Sequence, residues 1–163
     1  MSHKPLLVLF LSSGNAARSL MAEALLNAKG SERYTARSAG FCPLPAVSAE
    51  TLALLRTNGL ATDNIHTKGW SEFLASNHIL PVDVIVTLSE EARLNCPVWP
   101  GEPVRVHWAV DDPLGADRAD VREWKFRKCF ATLETRVNTL VRSKITHTPG
   151  ELFMQLKDIG MVV

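Results

Sequence analysis

The stretch Ser12-Ser13-Gly14-Asn15-Ala16-Ala17-Arg18-Ser19 follows an apolar run and leads into a series of helix formers. Backbone amides that end a strand and open a helix point inward together and carry the positive end of the helix dipole. Gly14 is expected to supply a left-handed backbone, and Asn15 tolerates one better than most residues. Arg18 adds a planar fork of donors matched to two oxygens of a tetrahedral anion. These requirements predict an oxyanion cradle made by Ser13, Gly14, Asn15, Ala16, Ala17 and Arg18, in preference to a plain strand-to-helix turn. Farther along, Asp111-Asp112-Pro113 reads as a loop, because Pro113 pushes its predecessor out of the helical region. By composition alone that pair of carboxylates is either a proton donor or a solvated turn.

These residues need elements to position them. Leu6 to Leu11 is continuously apolar, as in a strand buried on both faces of a parallel sheet. Ala17 to Ala28 favours helix, with Leu20, Ala24 and Leu25 at helical spacing and Gly30 as the stop. Tyr34 to Ser38 is a second strand. Ser48 is placed to cap a helix over Ala49 to Thr57. Val82 to Leu88 reads as a third strand, Ser89 to Ala92 as a capped turn, and Val104 to Trp108 as a fourth strand. A long helix over Val121 to Val141 takes Trp124, Phe130, Leu133, Val137 and Leu140 as its buried stripe, and Glu151 to Ile159 forms one more. Alternating strands and helices predict an α/β domain of three layers, a four-stranded parallel sheet with helices on both faces. Ligands of such sheets sit at the carboxyl ends of the strands, where Ser12 to Ser19 falls.

At 163 residues the chain fits one domain, taken as residues 1–163, with 18 Lys and Arg against 17 Asp and Glu. That balance argues against nucleic acid or an anionic membrane as partner, so any anion preference must be local. The longest apolar run is too short to cross a bilayer and lacks a small-residue cleavage site, so a cytoplasmic location is expected. Three cysteines (Cys42, Cys96, Cys129) without a CxxC pair fit a reducing compartment. His3, His66, His78, His107 and His147 lack zinc-like spacing, and no metal is expected.

The segment Leu9 to Ser19 followed by Met21-Ala22-Glu23-Ala24 resembles the signature of low-molecular-weight tyrosine phosphatases and of the arsenate reductases that share their flavodoxin-like fold. Ser38-Ala39-Gly40, Val86-Thr87-Leu88-Ser89 through Asn95-Cys96-Pro97, and His107-Trp108 before Asp111-Asp112-Pro113 extend the likeness over about residues 6–140, leaving 144–163 as a C-terminal extension. The Cys96-Pro97 and His107-Trp108 segments resemble the arsenate reductase branch. Leu114-Gly115 replace the aromatic residues that usually follow Asp-Pro in phosphatases acting on phosphotyrosine.

The resemblance implies thiol-dependent reduction of arsenate to arsenite, with Asp112 as general acid and Ser19 hydrogen-bonded to position 12. The family carries a cysteine nucleophile where this chain has Ser12. Amides, helix dipole and Arg18 lower a thiol's pKa by several units, but a serine hydroxyl starts too high and stays weak without a base. Serine also supplies no electrons to arsenic. The internal thiol relay of thioredoxin-coupled members is likewise broken, since Ser89 stands at one relay position and only Cys96 remains. Cys96 is a relay remnant or an inert buried thiol; Cys42 and Cys129 are read as packing residues. Asn15, Glu23 and Ser38 match positions that hold potassium in some relatives, but the remaining acidic ligand has no counterpart, so the three are expected to brace the loop.

No bound cofactor is expected. An active form would draw on an external thiol: glutathione with glutaredoxin, mycothiol, or thioredoxin. The partners expected are arsenate, phosphate or sulfate and, for an active form, such a thiol-redox protein. Three readings stand open: an arsenate reductase in which Ser12 is an introduced near-isosteric replacement, a non-catalytic oxyanion-binding or regulatory module, and a phosphatase acting on small phosphomonoesters. As written, the chain is expected to be inactive.

Overall fold

The computed structural model describes residues 3–75 and 79–163, so His78 lies outside the described residues. Strands β1 (Leu6–Ser12), β2 (Tyr34–Gly40), β3 (Val84–Thr87) and β4 (Val104–His107) form one parallel sheet in the order β2-β1-β3-β4. The central position of β1 explains its unbroken apolar sequence: Val8 and Phe10 face one layer, Leu9 and Leu11 the other. The register aligns Ser12 with Gly40, Leu11 with Thr87 and Thr87 with His107. The carboxyl ends of all four strands therefore meet at one edge. The chain leaves β1 there, between β2 on one side and β3 on the other, at the switch in strand order.

Helices α1 (Arg18–Lys29), α2 (Ala49–Thr57), α4 (Ala119–Arg142) and α5 (Pro149–Ile159) contribute to the main core on one face. The opposite face is covered more thinly by α3 (Glu90–Asn95), a 3₁₀ turn over Trp70–Phe73, and the buried indole of Trp99. Ser48 caps α2 by accepting from the Thr51 amide at 3.2 Å, and Ser89 caps α3 by accepting from Ala92 at 3.2 Å. A bidentate ion pair between Arg122 and Glu50 ties α4 to α2.

Several sequence expectations change. Helix α4 begins at Ala119 instead of Val121. Its buried face runs through Phe126, Cys129, Phe130, Leu133, Val137 and Leu140. Trp124 precedes Phe126 by two positions, which turns it away from that stripe; it is 59% exposed, with the Lys128 ammonium 5.1 Å from its ring. The C-terminal extension, residues 144–163, contributes Leu152, Leu156 and Ile159 to the core. There the Trp108 indole N–H donates to the Leu156 carbonyl at 2.8 Å. Among the described residues no helix is long and apolar enough to cross a membrane.

Candidate oxyanion site

The loop between β1 and α1 is turned inside out relative to an ordinary connection. Four carbonyls between Ser12 and Ala16 turn away from the cavity and are taken up by the segment after β2. Ser12 accepts from the Phe41 amide at 3.1 Å, Ser13 from Cys42 at 2.8 Å, Gly14 from Leu44 at 2.9 Å and Ala16 from Ser48 at 3.2 Å. The Thr51 hydroxyl adds a second bond to Ala16 at 2.9 Å. Among the described residues, no amide from Ser13 to Ala17 donates to a protein acceptor. Carbonyls held outward leave those amides facing a cavity of about 350 Å³ lined by Ser12 through Arg18, Asp112 and neighbouring side chains.

Left-handed backbone is needed in this loop, but it falls on Asn15 (φ 50°) and not on Gly14. Asn15 tolerates it because its amide side chain is fully engaged. Nδ2 donates to Ser19 Oγ at 2.7 Å and Ser38 Oγ at 3.0 Å, and Oδ1 accepts from the Lys68 amide at 3.0 Å. Gly14 serves a steric purpose: a Cβ there would lie 2.8 Å from Leu44 Cγ. Gly40 is needed for the same reason, since its Cβ would come within 2.9 Å of the Asn15 amide nitrogen.

Ser12 is buried, its hydroxyl 2.6 Å from that of Ser19. Arg18 is buried at the first turn of α1, donates to the Val110 carbonyl at 3.0 Å, and brings a second guanidinium nitrogen to 3.6 Å from Asp112 Oδ2. Asp112 is half exposed and caps the 3₁₀ turn Pro113–Gly115, its Oδ1 accepting from the Leu114 amide at 3.0 Å. Ser89 approaches the loop from α3, accepting from the Ser13 hydroxyl at 3.0 Å.

Cys96 is the exception. It sits past the other end of α3 and lines a separate cavity with Arg93, Arg105, His107 and Phe153. Arg105 Nη1 lies 3.4 Å from its sulfur, but burial prevails and pushes the thiol's pKa up.

The profile of the family described as "Low molecular weight phosphotyrosine protein phosphatase" matches residues 7–148. The chain belongs to that family. Within it the likeness is to the arsenate reductase branch. The chain is 30% identical over 110 residues to arsenate reductase 1 of Staphylococcus epidermidis, covering 68% of this chain and 80% of that one. It is 33% identical over 110 residues to an arsenate reductase of Bacillus cereus, with 68% and 78% coverage. The crystal structure of arsenate reductase from Archaeoglobus fulgidus superposes with a TM-score of 0.65 at 32% identity, over 83% of this chain and 99% of that one.

This phosphatase-family chain carries site residues that the sequence did not single out. Cys42, a packing residue by sequence, is exposed and lines the loop cavity with Leu44 and Glu91. The outward turn of the chain after Gly40, bonded amide by amide to the loop carbonyls, places it there. Cys129 is a packing residue, and desolvation raises its thiol's pKa to about 12. Among the described residues there is no cluster of His, Cys, Asp and Glu suited to a metal.

Proposed function

We propose that this arsenate reductase-like chain binds phosphate, sulfate or arsenate in the Ser12–Ser19 loop, and that in its present sequence it does not reduce arsenate. The observation that carries this reading is the ring of amides from Ser13 to Ala17, with the carbonyls of Ser12, Ser13, Gly14 and Ala16 bonded to the segment after β2, closed on one side by the Arg18 guanidinium. Such a cradle favours an anion whatever stands at position 12.

Chemistry is a separate matter. Ser12 Oγ has the Ser19 hydroxyl as its hydrogen-bond partner, and a hydroxyl is no base. Ser12 therefore remains protonated and inert toward arsenic or phosphorus. Asp112 is retained at the mouth of the cavity opposite Arg18, where a leaving oxygen would need a proton, which favours competence of a form with cysteine at position 12. With Cys96 in another cavity, that form would draw its second thiol from an external reductant.

Calorimetric titration of the protein with phosphate, arsenate and sulfate tests the binding half. Saturable binding of all three is expected; no heat at high phosphate would overturn it. An arsenate-dependent NADPH oxidation assay with glutaredoxin, mycothiol and thioredoxin systems tests the other half, with no turnover expected from the unmodified chain.

A further inference from the structure

Behind the loop lies a buried cluster of charge that the binding reading leaves unused. The Lys68 side chain is 9% exposed. Its ammonium stands 3.2 Å from Ser38 Oγ, 3.3 Å from the His66 carbonyl and 3.6 Å from Glu23 Oε2. The Ser38 hydroxyl donates to Glu23 and accepts from both Lys68 and Asn15. Asn15 in turn reaches Ser19, whose hydroxyl meets Ser12. The Lys68 backbone adds two more bonds: its amide donates to Asn15 Oδ1 in the loop at 3.0 Å, and its carbonyl accepts from Gly40 at the end of β2 at 2.9 Å.

Three oxygens from a carboxylate, a hydroxyl and a carbonyl around one cationic centre is the donor set of a monovalent metal ion. Here the centre of that cluster is filled by Nζ. A potassium ion beside it would meet a like charge at close range in a poorly screened interior. The residues present therefore do not fit an added metal.

We infer that the Lys68 ammonium is a built-in monovalent cation, which takes the place of a bound metal ion and, through Ser38 and Asn15, holds the oxyanion loop in its binding conformation. Burial lowers the Lys68 pKa while Glu23 opposes that shift, the balance expected of an ion pair in a partly dry site. Glu72 and Arg37 add weaker, opposing contributions from the surround. Lys68 is thus a positioning residue: it touches no anion, and acts by fixing Asn15 at positive φ.

The inference rests on the oxyanion reading for its functional consequence, but not for its physical content, and the experiment separates the two. Thermal stability and phosphate affinity are measured in potassium chloride and in choline chloride at equal ionic strength, for the wild-type chain, Lys68→Ala and Lys68→Met. The wild type should be indifferent to the choice of cation. Lys68→Ala vacates the oxygen cluster, so in choline it should lose about tenfold in phosphate affinity, the scale of one hydrogen bond to a charged group. Potassium should restore most of that loss and raise the melting temperature of Lys68→Ala even without phosphate. Lys68→Met fills the space with an apolar chain and should show the loss without the rescue.

A potassium-dependent wild type would overturn the inference, as would a Lys68→Ala protein stabilised equally by both salts. If Lys68→Ala does not fold in choline, its folding in potassium supports the inference and its failure in both overturns it. A wild type that binds no phosphate would sink the oxyanion reading alone, since the melting temperatures still report on the cation.

Discussion

The Arg18 guanidinium and the Asp112 carboxylate face each other at 3.6 Å across the mouth of the loop cavity, one buried, the other half exposed. Arg18 rises from the floor on α1, whereas Asp112 is delivered by the turn after β4. The two differ in what they can contribute. A buried guanidinium aimed at the cavity meets an anion in its resting state, whereas a half-exposed carboxylate matters when a leaving group departs. Arg18→Ala should weaken phosphate binding by about tenfold or more, the scale of a charge-assisted hydrogen bond. Asp112→Asn should leave it within about threefold, because a half-solvated charge is well screened. Calorimetry on both variants checks this, and equal losses would show the roles are misassigned.

Replacing Ser12 with cysteine should create activity. A thiol there would face the free amides, the start of α1 and Arg18, so its pKa should fall below the unperturbed value of about 8.5. With an aryl phosphate the thiolate would bond to phosphorus, Asp112 would protonate the departing phenolate, and water would hydrolyse the adduct. With arsenate, an As–S bond would form as one oxygen leaves as water. A second thiol would then attack that sulfur, forming a disulfide as arsenic(V) becomes arsenic(III). Ser12→Cys should therefore hydrolyse aryl phosphate slowly, and reduce arsenate only with glutathione and glutaredoxin or with mycothiol. Adding Ser89→Cys, beside Ser13, should let thioredoxin serve. Absence of any turnover in both variants would leave the non-catalytic reading standing.

The three thiols should react in a fixed order. Cys42 is exposed at the loop cavity, Cys96 is partly buried, and Cys129 is buried with its pKa at about 12. Timed iodoacetamide labelling read by mass spectrometry should modify Cys42 first and Cys129 only on unfolding. Saturating phosphate should slow the labelling of Cys42 and leave that of Cys96 unchanged, since Cys96 lines another cavity. Equal protection of the two would contradict an anion in the loop.

Gly40→Ala should damage the site from a distance. The added methyl would press on the Asn15 amide nitrogen and the Gly14 carbonyl carbon at 2.9 and 3.0 Å, both backbone atoms with little room to yield. A loss of about 1–3 kcal/mol in stability is expected from such overpacking. Phosphate affinity should fall with it, because the loop would shift. Thermal denaturation and calorimetry on the same sample check both. Unchanged values would mean that the two segments are not tightly apposed.

What could be read from the chain without its fold was whatever neighbours in sequence decide. The apolar run of β1 announces a strand covered on both sides, and a loop rich in small residues ending in Arg18 announces an anion cradle. Both depend on residues a few positions apart. The family likeness supplied Asp112 as a residue of the same site, which composition alone left undecided.

The tertiary structure decided what depends on packing between distant segments. The strain of the loop falls on Asn15 and not on Gly14, because Asn15 is held by Ser19, Ser38 and Lys68, the last 53 positions away. Cys42 reaches the cavity because the chain after β2 bonds to the loop carbonyls, and Cys96 misses it because α3 carries it to the far side. Trp124 is apolar but falls off the buried stripe of α4, whose phase is set by α1, α2 and the sheet. Periodicity says that a helix has a buried face. Only the neighbours that cover it determine which residues lie there, and only long-range hydrogen bonds turn a loop's amides inward.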